Sequence, residues 1–290
     1  MQLMISIDKL SGLIVLYCWL TPACLQAAAN TYEQEMTEAL AQRIDQGVVI
    51  WFADGGDKFP GIYNQHLPEK ATGAALILHG MGGHPDWPEV ITPLRLNLPA
   101  HGWATLSIQL PVLDPGKALS GYGETMSYAS NRIRAAVRYL REKNFLYIAI
   151  IGHSFGATTG AYYLAQANTG IQAFVGIGMQ DYDFLNPRVD LNACLGRIDI
   201  PVLDLYGNRD YGEVLLLAEE RRLQANKSNR RQYQQLVIEG ADHYFTGLED
   251  VMVRRIQGWL DLAAPSVRVI TDDELNKRIG SYDHPERPGE

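Results

Sequence analysis

The sequence has few cysteines, no excess of basic residues and only one long apolar run. Its 290 residues include 3 cysteines, too few for a scaffold stapled by disulfides. Asp and Glu number 33 against 25 Lys and Arg, giving a formal net charge of −8. This balance argues against a nucleic-acid partner, because phosphate binding needs a basic surface. Hydrophobic residues make up 47% of the chain, which excludes disorder, collagen and coiled coil for most of it.

The long apolar run, residues 10–25, lies near the N-terminus and predicts a cleaved export signal. It follows Lys9 and ends close to Ala27-Ala28-Ala29, small residues that are typical of a signal-peptidase site. The run is short for a membrane span and is interrupted by Pro22, so no stable span is expected after cleavage. We therefore expect residues 1–29 to be removed and the protein to be exported, either to a periplasm or outside the cell.

Cleavage after Ala29 also removes two of the cysteines, Cys18 and Cys24, and leaves only Cys194. A lipoprotein signal that uses Cys24 fits the sequence less well, because the preceding residues are Thr-Pro-Ala, without the usual leucine. The exported chain is therefore expected to hold no internal disulfide.

Residues 30–264 alternate between predicted strands and helices, which indicates one α/β domain. Continuous apolar runs such as residues 74–78 (AALIL) are typical of strands buried on both faces. The alternation predicts a mostly parallel, doubly wound sheet with helices on both faces. Residues 265–290 are polar and are expected to form a poorly packed tail. Strands are predicted at 48–52, 74–78, 103–110, 146–151, 171–177, 202–206 and 234–239, and helices at 35–45, 86–100, 128–143, 157–166, 213–225 and 247–262.

A candidate nucleophile, Ser154, lies between an apolar strand and a helix in residues 152–156 (GHSFG). A serine at such an elbow is held in a strained backbone conformation that lifts its hydroxyl clear of the sheet edge. Gly152 and Gly156 are small enough to let the strand and the helix pass closely. A serine that only caps the helix is the alternative, since serine is a frequent N-cap residue. The position directly after an apolar strand favours the nucleophile.

A serine nucleophile needs a base to accept its proton, and His243 is the best placed of the 7 histidines. It follows the last predicted strand, at the carboxyl edge of the sheet, where it could reach the serine. His153 lies inside the elbow, and His79 and His84 belong to a glycine-rich turn. A solvated loop histidine is the alternative, and the chain order Ser…Asp…His favours the catalytic role.

The acid that would orient this base is predicted to be Asp210, which follows a buried strand at the same sheet edge. Asp181 and Asp183, after the preceding strand, are the first alternatives, and Asp204 and Asp242 are weaker ones. Asp210 could also be an ordinary turn residue, because aspartate is common in turns.

Backbone N–H groups that could hold a developing oxyanion are expected at Met81 and Phe155. Met81 lies in residues 79–83 (HGMGG), directly after a predicted strand, and Phe155 follows the nucleophile. Gly82 replaces Met81 if the turn is shifted by one residue.

No cofactor or metal is predicted. The glycine-rich turn matches neither a dinucleotide-binding nor a phosphate-binding loop, since it lacks Gly-x-Gly-x-x-Gly and Gly-Lys-Ser/Thr. His79 and His84 have no matching cluster of carboxylates or thiols that could complete a metal site.

Together, the His-Gly turn at His79, the Ser154 elbow, Asp210 and His243 resemble the α/β-hydrolase superfamily over roughly residues 48–263. This resemblance implies an α/β-hydrolase fold and a Ser-His-Asp triad that cleaves a carboxylic ester or related acyl bond through an acyl-enzyme. Thioesterases, peptidases and acyltransferases use the same machinery. A catalytically inactive, hydrolase-like binding protein of the cell envelope is the alternative, because a fold does not guarantee an activity.

A narrower resemblance is carried by residues 83–88 (GHPDWP) and 102–111 (GWATLSIQLP). These segments are similar to an exported bacterial hydrolase-like family known only as a domain of unknown function. The likeness supports the export signal and the fold and supplies no substrate.

The expected partner is a small-molecule ester or acyl substrate, and the sequence indicates no oligomeric state. The connection between the strands predicted at 171–177 and 202–206 is too short for a large cap, so the site is expected to be open and to suit small or flexible esters. The glycine-rich residues 113–126 are either part of the substrate rim or an ordinary long loop.

Overall fold

A computed structural model describes residues 31–54, 57–65, 73–166, 169–227 and 232–264. The predicted export signal, residues 1–29, and the predicted tail, residues 265–290, lie outside these described residues.

The described chain forms one eight-stranded sheet in the order β1-β2-β4-β3-β5-β6-β7-β8. Strands from β3 onward pair in parallel, and β2 runs antiparallel to both of its neighbours. This arrangement confirms the predicted mostly parallel sheet. The strands are β1 (Val48–Asp54), β2 (Asp57–Asn64), β3 (Gly73–Leu78), β4 (Trp103–Ile108), β5 (Ile148–His153), β6 (Ala173–Ile177), β7 (Val202–Gly207) and β8 (Tyr233–Ile238).

Helices cover both faces of the sheet, because the central strands are apolar on both sides. Leu76 of β3 faces a core shared with α3, α4 and α5, and the neighbouring Ile77 faces a second core shared with α2 and α8. The helices are α1 (Thr31–Ala41), α2 (Ile91–Asn97), α3 (Met126–Glu142), α4 (Phe155–Leu164), α5 (Leu191–Leu195), α6 (Gly212–Leu216), α7 (Ala218–Lys227) and α8 (Glu249–Ala263).

The antiparallel strand β2 was not predicted from the sequence. Pro60 and Gly61 lie in its middle, and both residues are depleted in strands. The strand forms because β1 pairs with it along its whole length in a hairpin, while residues 61–64 pair with β4. Tertiary pairing thus overrides a weak local preference.

Arg132 of α3 lies in the protein interior, although charged residues of an amphipathic helix ordinarily lie on its solvent side. Its side chain is buried and forms an ion pair with Glu33 of α1 at 2.6 Å. The guanidinium also lies over the Phe59 ring, 5.0 Å from its centroid, and donates to the Gln109 carbonyl at 3.2 Å. A buried charge needs such a partner, so this ion pair fixes α1 against α3.

The connection between β6 and β7 holds only the five-residue helix α5 and no further domain. The carboxyl ends of β3, β5, β6, β7 and β8 share one edge of the sheet, and the loops that leave this edge carry the predicted site residues.

Candidate active site

Ser154 joins β5 to α4 in the strained conformation that the elbow pattern predicts. Its backbone angles are φ 55° and ψ −121°, a region that residues other than glycine seldom occupy. The Ser154 N–H donates to the Ile177 carbonyl at 2.8 Å, and its own carbonyl accepts from the N–H groups of Ala157 and Thr158. The strain is therefore held by hydrogen bonds to β6 and to the first turn of α4.

Two glycines allow the elbow to pack. A Cβ on Gly156 would lie 2.4 Å from the carbonyl oxygens of Leu78 and His79, and one on Gly152 would lie 2.5 Å from the Gly156 carbonyl oxygen. Real Cβ atoms do not approach oxygen so closely. The close crossing of β5, α4 and the end of β3 therefore requires glycine at both positions.

His243 and Asp210 are brought together by the loops after β8 and β7. The Nδ1–H group of His243 donates to Asp210 Oδ1 at 2.6 Å, and the Tyr211 N–H donates to the same oxygen at 2.7 Å. With the proton on Nδ1, His243 Nε2 carries a free lone pair. The pair therefore has the arrangement of a base oriented by a carboxylate.

The other candidate acids are engaged elsewhere. Asp204 is fully buried and accepts from the Arg221 guanidinium at 2.9 Å, which makes it part of a structural ion pair. Asp181 pairs with Arg188 at 3.0 Å, and Asp183 is exposed. Asp242 holds its own loop, where the Thr246 N–H lowers the pKa of its carboxyl group.

The turn at residues 79–83 lies directly beside the nucleophile. A Cβ placed on Gly80 would be 3.5 Å from Ser154 Cβ. His79 fixes this turn, because its Nδ1–H donates to the Gly80 carbonyl at 2.7 Å while its Nε2 accepts from the Leu110 N–H at 2.9 Å. The side chain that starts the turn thus ties it to the end of β4.

Two N–H groups near Ser154 remain available to a ligand. Within the described part of the chain, the N–H groups of Met81 and Phe155 donate no hydrogen bond. Burial raises the pKa of the nearby Tyr122 hydroxyl, and the Leu113 and Gly82 backbone N–H groups oppose that rise. Met81 and its alternative Gly82 both stay candidates for the first donor.

His153 connects the elbow to the His243 loop. Its Nε2–H donates to the His243 carbonyl at 3.0 Å, and the two rings lie 4.8 Å apart. Burial lowers the pKa of both His153 and His79 to about 3, and both rings are therefore neutral at ordinary pH.

Because His79 and His153 are buried and neutral, we expect the free energy of unfolding to fall in acid. Between pH 6.5, their ordinary pKa, and about pH 3 the unfolded chain binds protons at His79 and His153, whereas the folded chain does not. Their contribution is complete above pH 6.5 and falls as the pH drops, by about 1.4 kcal/mol per pH unit for each fully shifted histidine.

The free energy of unfolding should depend less steeply on pH in H153Q than in the wild type. Between pH 6 and 4 we expect the slope to be smaller by about 1.4 kcal/mol per pH unit. Denaturant unfolding of both proteins at several pH values measures this difference, and above pH 7 the two curves should run parallel. Parallel curves over the whole range would show that His153 does not titrate as its burial implies.

Three tyrosines complete the site and were not predicted. Tyr182 places its hydroxyl 3.0 Å from Ser154 Oγ, Tyr211 stacks on the His243 ring at 4.0 Å, and the Tyr244 ring lies edge-on to it at 5.2 Å. Each follows a candidate acid or base directly in the sequence, as Asp-Tyr or His-Tyr, and this repeated pairing is the signal that could have revealed them.

The site is more covered than the short β6–β7 connection suggested. Only 8% of Ser154 and 3% of His243 is exposed, although no cap domain is present in the described residues. The tyrosines provide this cover. The glycine-rich loop at residues 113–126 adds Tyr122, whose ring packs edge-on against Phe155 at 5.1 Å.

The described residues contain no group of three or more His, Cys, Asp or Glu side chains that could hold a metal ion. Nor is any helix in those ranges both long and apolar enough to cross a membrane.

A family model described as a protein of unknown function (DUF3530) matches residues 20–125 and 124–262. No curated protein sequence matches the chain.

Solved structures with the same fold include esterases and a hydrolase. Est1E from Butyrivibrio proteoclasticus is 17% identical with a TM-score of 0.60, covering 75% of this chain and 99% of its own. A dienelactone hydrolase from Anabaena variabilis is 20% identical with a TM-score of 0.60, covering 76% and 99%. An esterase from Pyrococcus furiosus is 15% identical with a TM-score of 0.62, covering 76% and 92%. These likenesses establish the α/β-hydrolase fold.

Proposed function

The chain belongs to this DUF3530 family, and we propose from its own geometry that it is a serine hydrolase. Its reaction would be the cleavage of a carboxylic ester or related acyl bond, with Ser154 as nucleophile, His243 as base and Asp210 as the acid that orients the base. Met81 and Phe155 would supply the oxyanion hole.

The observation that carries this proposal is the 2.6 Å hydrogen bond from His243 Nδ1 to Asp210, beside a serine held at a positive φ. The other ring nitrogen, His243 Nε2, would then accept the proton of Ser154. The Ser154 hydroxyl is hydrogen-bonded to Tyr182 in this structure, and the proposed reaction requires it to turn toward His243 in the substrate complex, where catalytic hydrogen bonds often tighten.

The reaction would proceed in two halves. Ser154 Oγ attacks the carbonyl carbon, its proton passes to His243 Nε2, and the N–H groups of Met81 and Phe155 bind the oxyanion. When the carbon–oxygen bond of the ester breaks, His243 returns the proton to the leaving oxygen. Water then attacks the acyl-enzyme by the same route and frees Ser154.

The aromatic cover of the site favours a small or flexible substrate. Ser154 and His243 are nearly buried, and the side chains of Tyr182, Tyr211 and Tyr244 lie against them. The similar structures described as esterases and as a dienelactone hydrolase support ester cleavage over amide or thioester cleavage.

Export is also part of the proposal. It rests on residues 1–29, where an apolar run after Lys9 ends in three alanines. The substrate would then be met outside the cytoplasm.

Hydrolysis assays on the purified protein test the proposed activity. We expect turnover of short p-nitrophenyl esters, slower turnover of the matching thioester and none of the matching anilide. Faster turnover of the thioester or of the anilide would indicate a thioester or an amide as the substrate class instead of an ester. Absence of turnover on all three would favour the inactive binding protein instead. N-terminal sequencing of the protein recovered from its host, expected to begin at Asn30, tests the export.

A further inference from the structure

The Ser154 hydroxyl has a hydrogen-bond partner that the triad does not explain. Its Oγ atom lies 3.0 Å from the hydroxyl of Tyr182, and this tyrosine is itself buried. A polar group buried against a nucleophile costs free energy unless it is satisfied, so its presence needs a reason.

The Tyr182 hydroxyl also accepts a hydrogen bond from a second side chain. Gln180 Nε2 donates to it at 2.8 Å, and the Gln180 carbonyl accepts from the Thr158 hydroxyl of α4 at 3.0 Å. Because the amide supplies a donor to the phenolic oxygen, the tyrosine's own proton is free to point at Ser154. The Tyr182 ring is fixed edge-on against Phe155 at 5.5 Å and Phe184 at 5.6 Å.

The hydroxyl also keeps its proton under all ordinary conditions. Burial raises the pKa of Tyr182 to about 12, although its hydrogen bonds to Ser154 and Gln180 oppose that rise. A neutral phenol remains a hydrogen-bond donor and transfers no proton of its own at neutral pH.

The sheet order determines which side of the serine this donor occupies. Strand β3, which carries the Met81 turn, lies on one side of β5, whereas β6, β7 and β8 lie on the other. Tyr182 follows β6 and so belongs to the side of Asp210 and His243. Met81 therefore lies on the opposite side of β5 from Tyr182.

We propose that Tyr182 is a further catalytic residue whose hydroxyl donates a hydrogen bond to the leaving-group oxygen. This rests on the proposed serine hydrolysis. As the carbon–oxygen bond breaks, the electron pair stays on the leaving oxygen and the proton arrives from His243. Tyr182 stabilises the negative charge that develops there before the proton arrives and keeps its own proton. Between substrates the same hydroxyl holds Ser154 Oγ.

Leaving groups of different basicity test this role. A p-nitrophenoxide ion needs little help to leave, whereas an alkoxide needs much. We expect Y182F to lower kcat/KM for ethyl acetate by about 10- to 100-fold and for p-nitrophenyl acetate by less than about threefold. Y163F is the matched control, because it removes a buried hydroxyl that donates to the Thr169 carbonyl at 3.2 Å, away from Ser154.

Equal losses on the two esters, or no loss on either, would overturn the proposal, since a purely structural role lowers both rates together. If Y182F does not fold, Q180M decides, because it removes the donor behind the hydroxyl and should cause the same selective loss on a smaller scale. If Q180M keeps the wild-type ratio of kcat/KM for the two esters, the proposed role of Tyr182 is overturned. If the wild-type protein hydrolyses neither ester, the proposed serine hydrolase activity is itself wrong. If the wild type is active and the variants keep its ratio of kcat/KM for the two esters, only the role of Tyr182 is wrong.

Discussion

Replacing His243 by alanine is expected to lower kcat/KM on short p-nitrophenyl esters by about 10⁴- to 10⁶-fold, because Ser154 then has no group to accept its proton. The fold should survive. The His243 carbonyl, which accepts from His153 at 3.0 Å, is kept in the variant, and the His243 side chain stacks on Tyr211 in the loops at the sheet edge.

Steady-state kinetics and thermal unfolding of H243A measure these two expectations together. H101A is the control histidine variant. His101 is exposed and ends a short 3-10 helix at residues 98–101, and it is distant in sequence from Ser154, Asp210 and His243. Activity of H243A within about tenfold of the wild type would place the base at another residue.

Replacing Asp210 by asparagine is expected to lower kcat by about 10⁴-fold. An asparagine amide facing Nδ1 of His243 favours the tautomer with its proton on Nε2, and that tautomer cannot accept the proton of Ser154. Geometry at the site should change little, because asparagine has nearly the shape of aspartate, although the amide that faces Nδ1 no longer accepts from the Tyr211 N–H.

Asp204 provides the contrast for this experiment, since it is an alternative acid and is buried on β7, the strand that leads to Asp210. Its carboxylate pairs with Arg221 and accepts from the Tyr233 hydroxyl at 2.7 Å. D204N should lower the free energy of unfolding by about 3 to 5 kcal/mol, because it leaves a buried cation without its counter-charge. Its kcat/KM per folded molecule should stay unchanged. The reverse pattern, with D204N inactive and D210N active, would exchange the two roles.

Much of this site could be predicted because its members follow predicted strands. Ser154, Asp210 and His243 come after β5, β7 and β8, and parallel strands bring their carboxyl ends to one edge. The alternation of apolar runs with helical patterns predicted the parallel part of the sheet for the same reason, since strands buried on both faces have a clear sequence signal.

The rest depends on contacts between distant segments. Strand β2 exists through its pairing with β1 and β4, despite Pro60. Arg132 is buried because Glu33, far away in the sequence, meets it. The hydroxyl of Tyr182 reaches Ser154 only through the path of the β6–β7 connection. No local sequence pattern predicts contacts between segments so far apart in the chain. The repeated Asp-Tyr and His-Tyr pairs at the sheet edge are the one local signal, since each of their tyrosines contacts Ser154 or His243.

Covalent labelling shows whether Ser154 is an activated nucleophile. The wild-type protein and S154A are each treated with a fluorophosphonate probe, and the labelled peptide is located by mass spectrometry. We expect one label on the wild type, at Ser154, and none on S154A. An unlabelled wild type, or equal labelling of both proteins, would show that Ser154 is not an activated nucleophile.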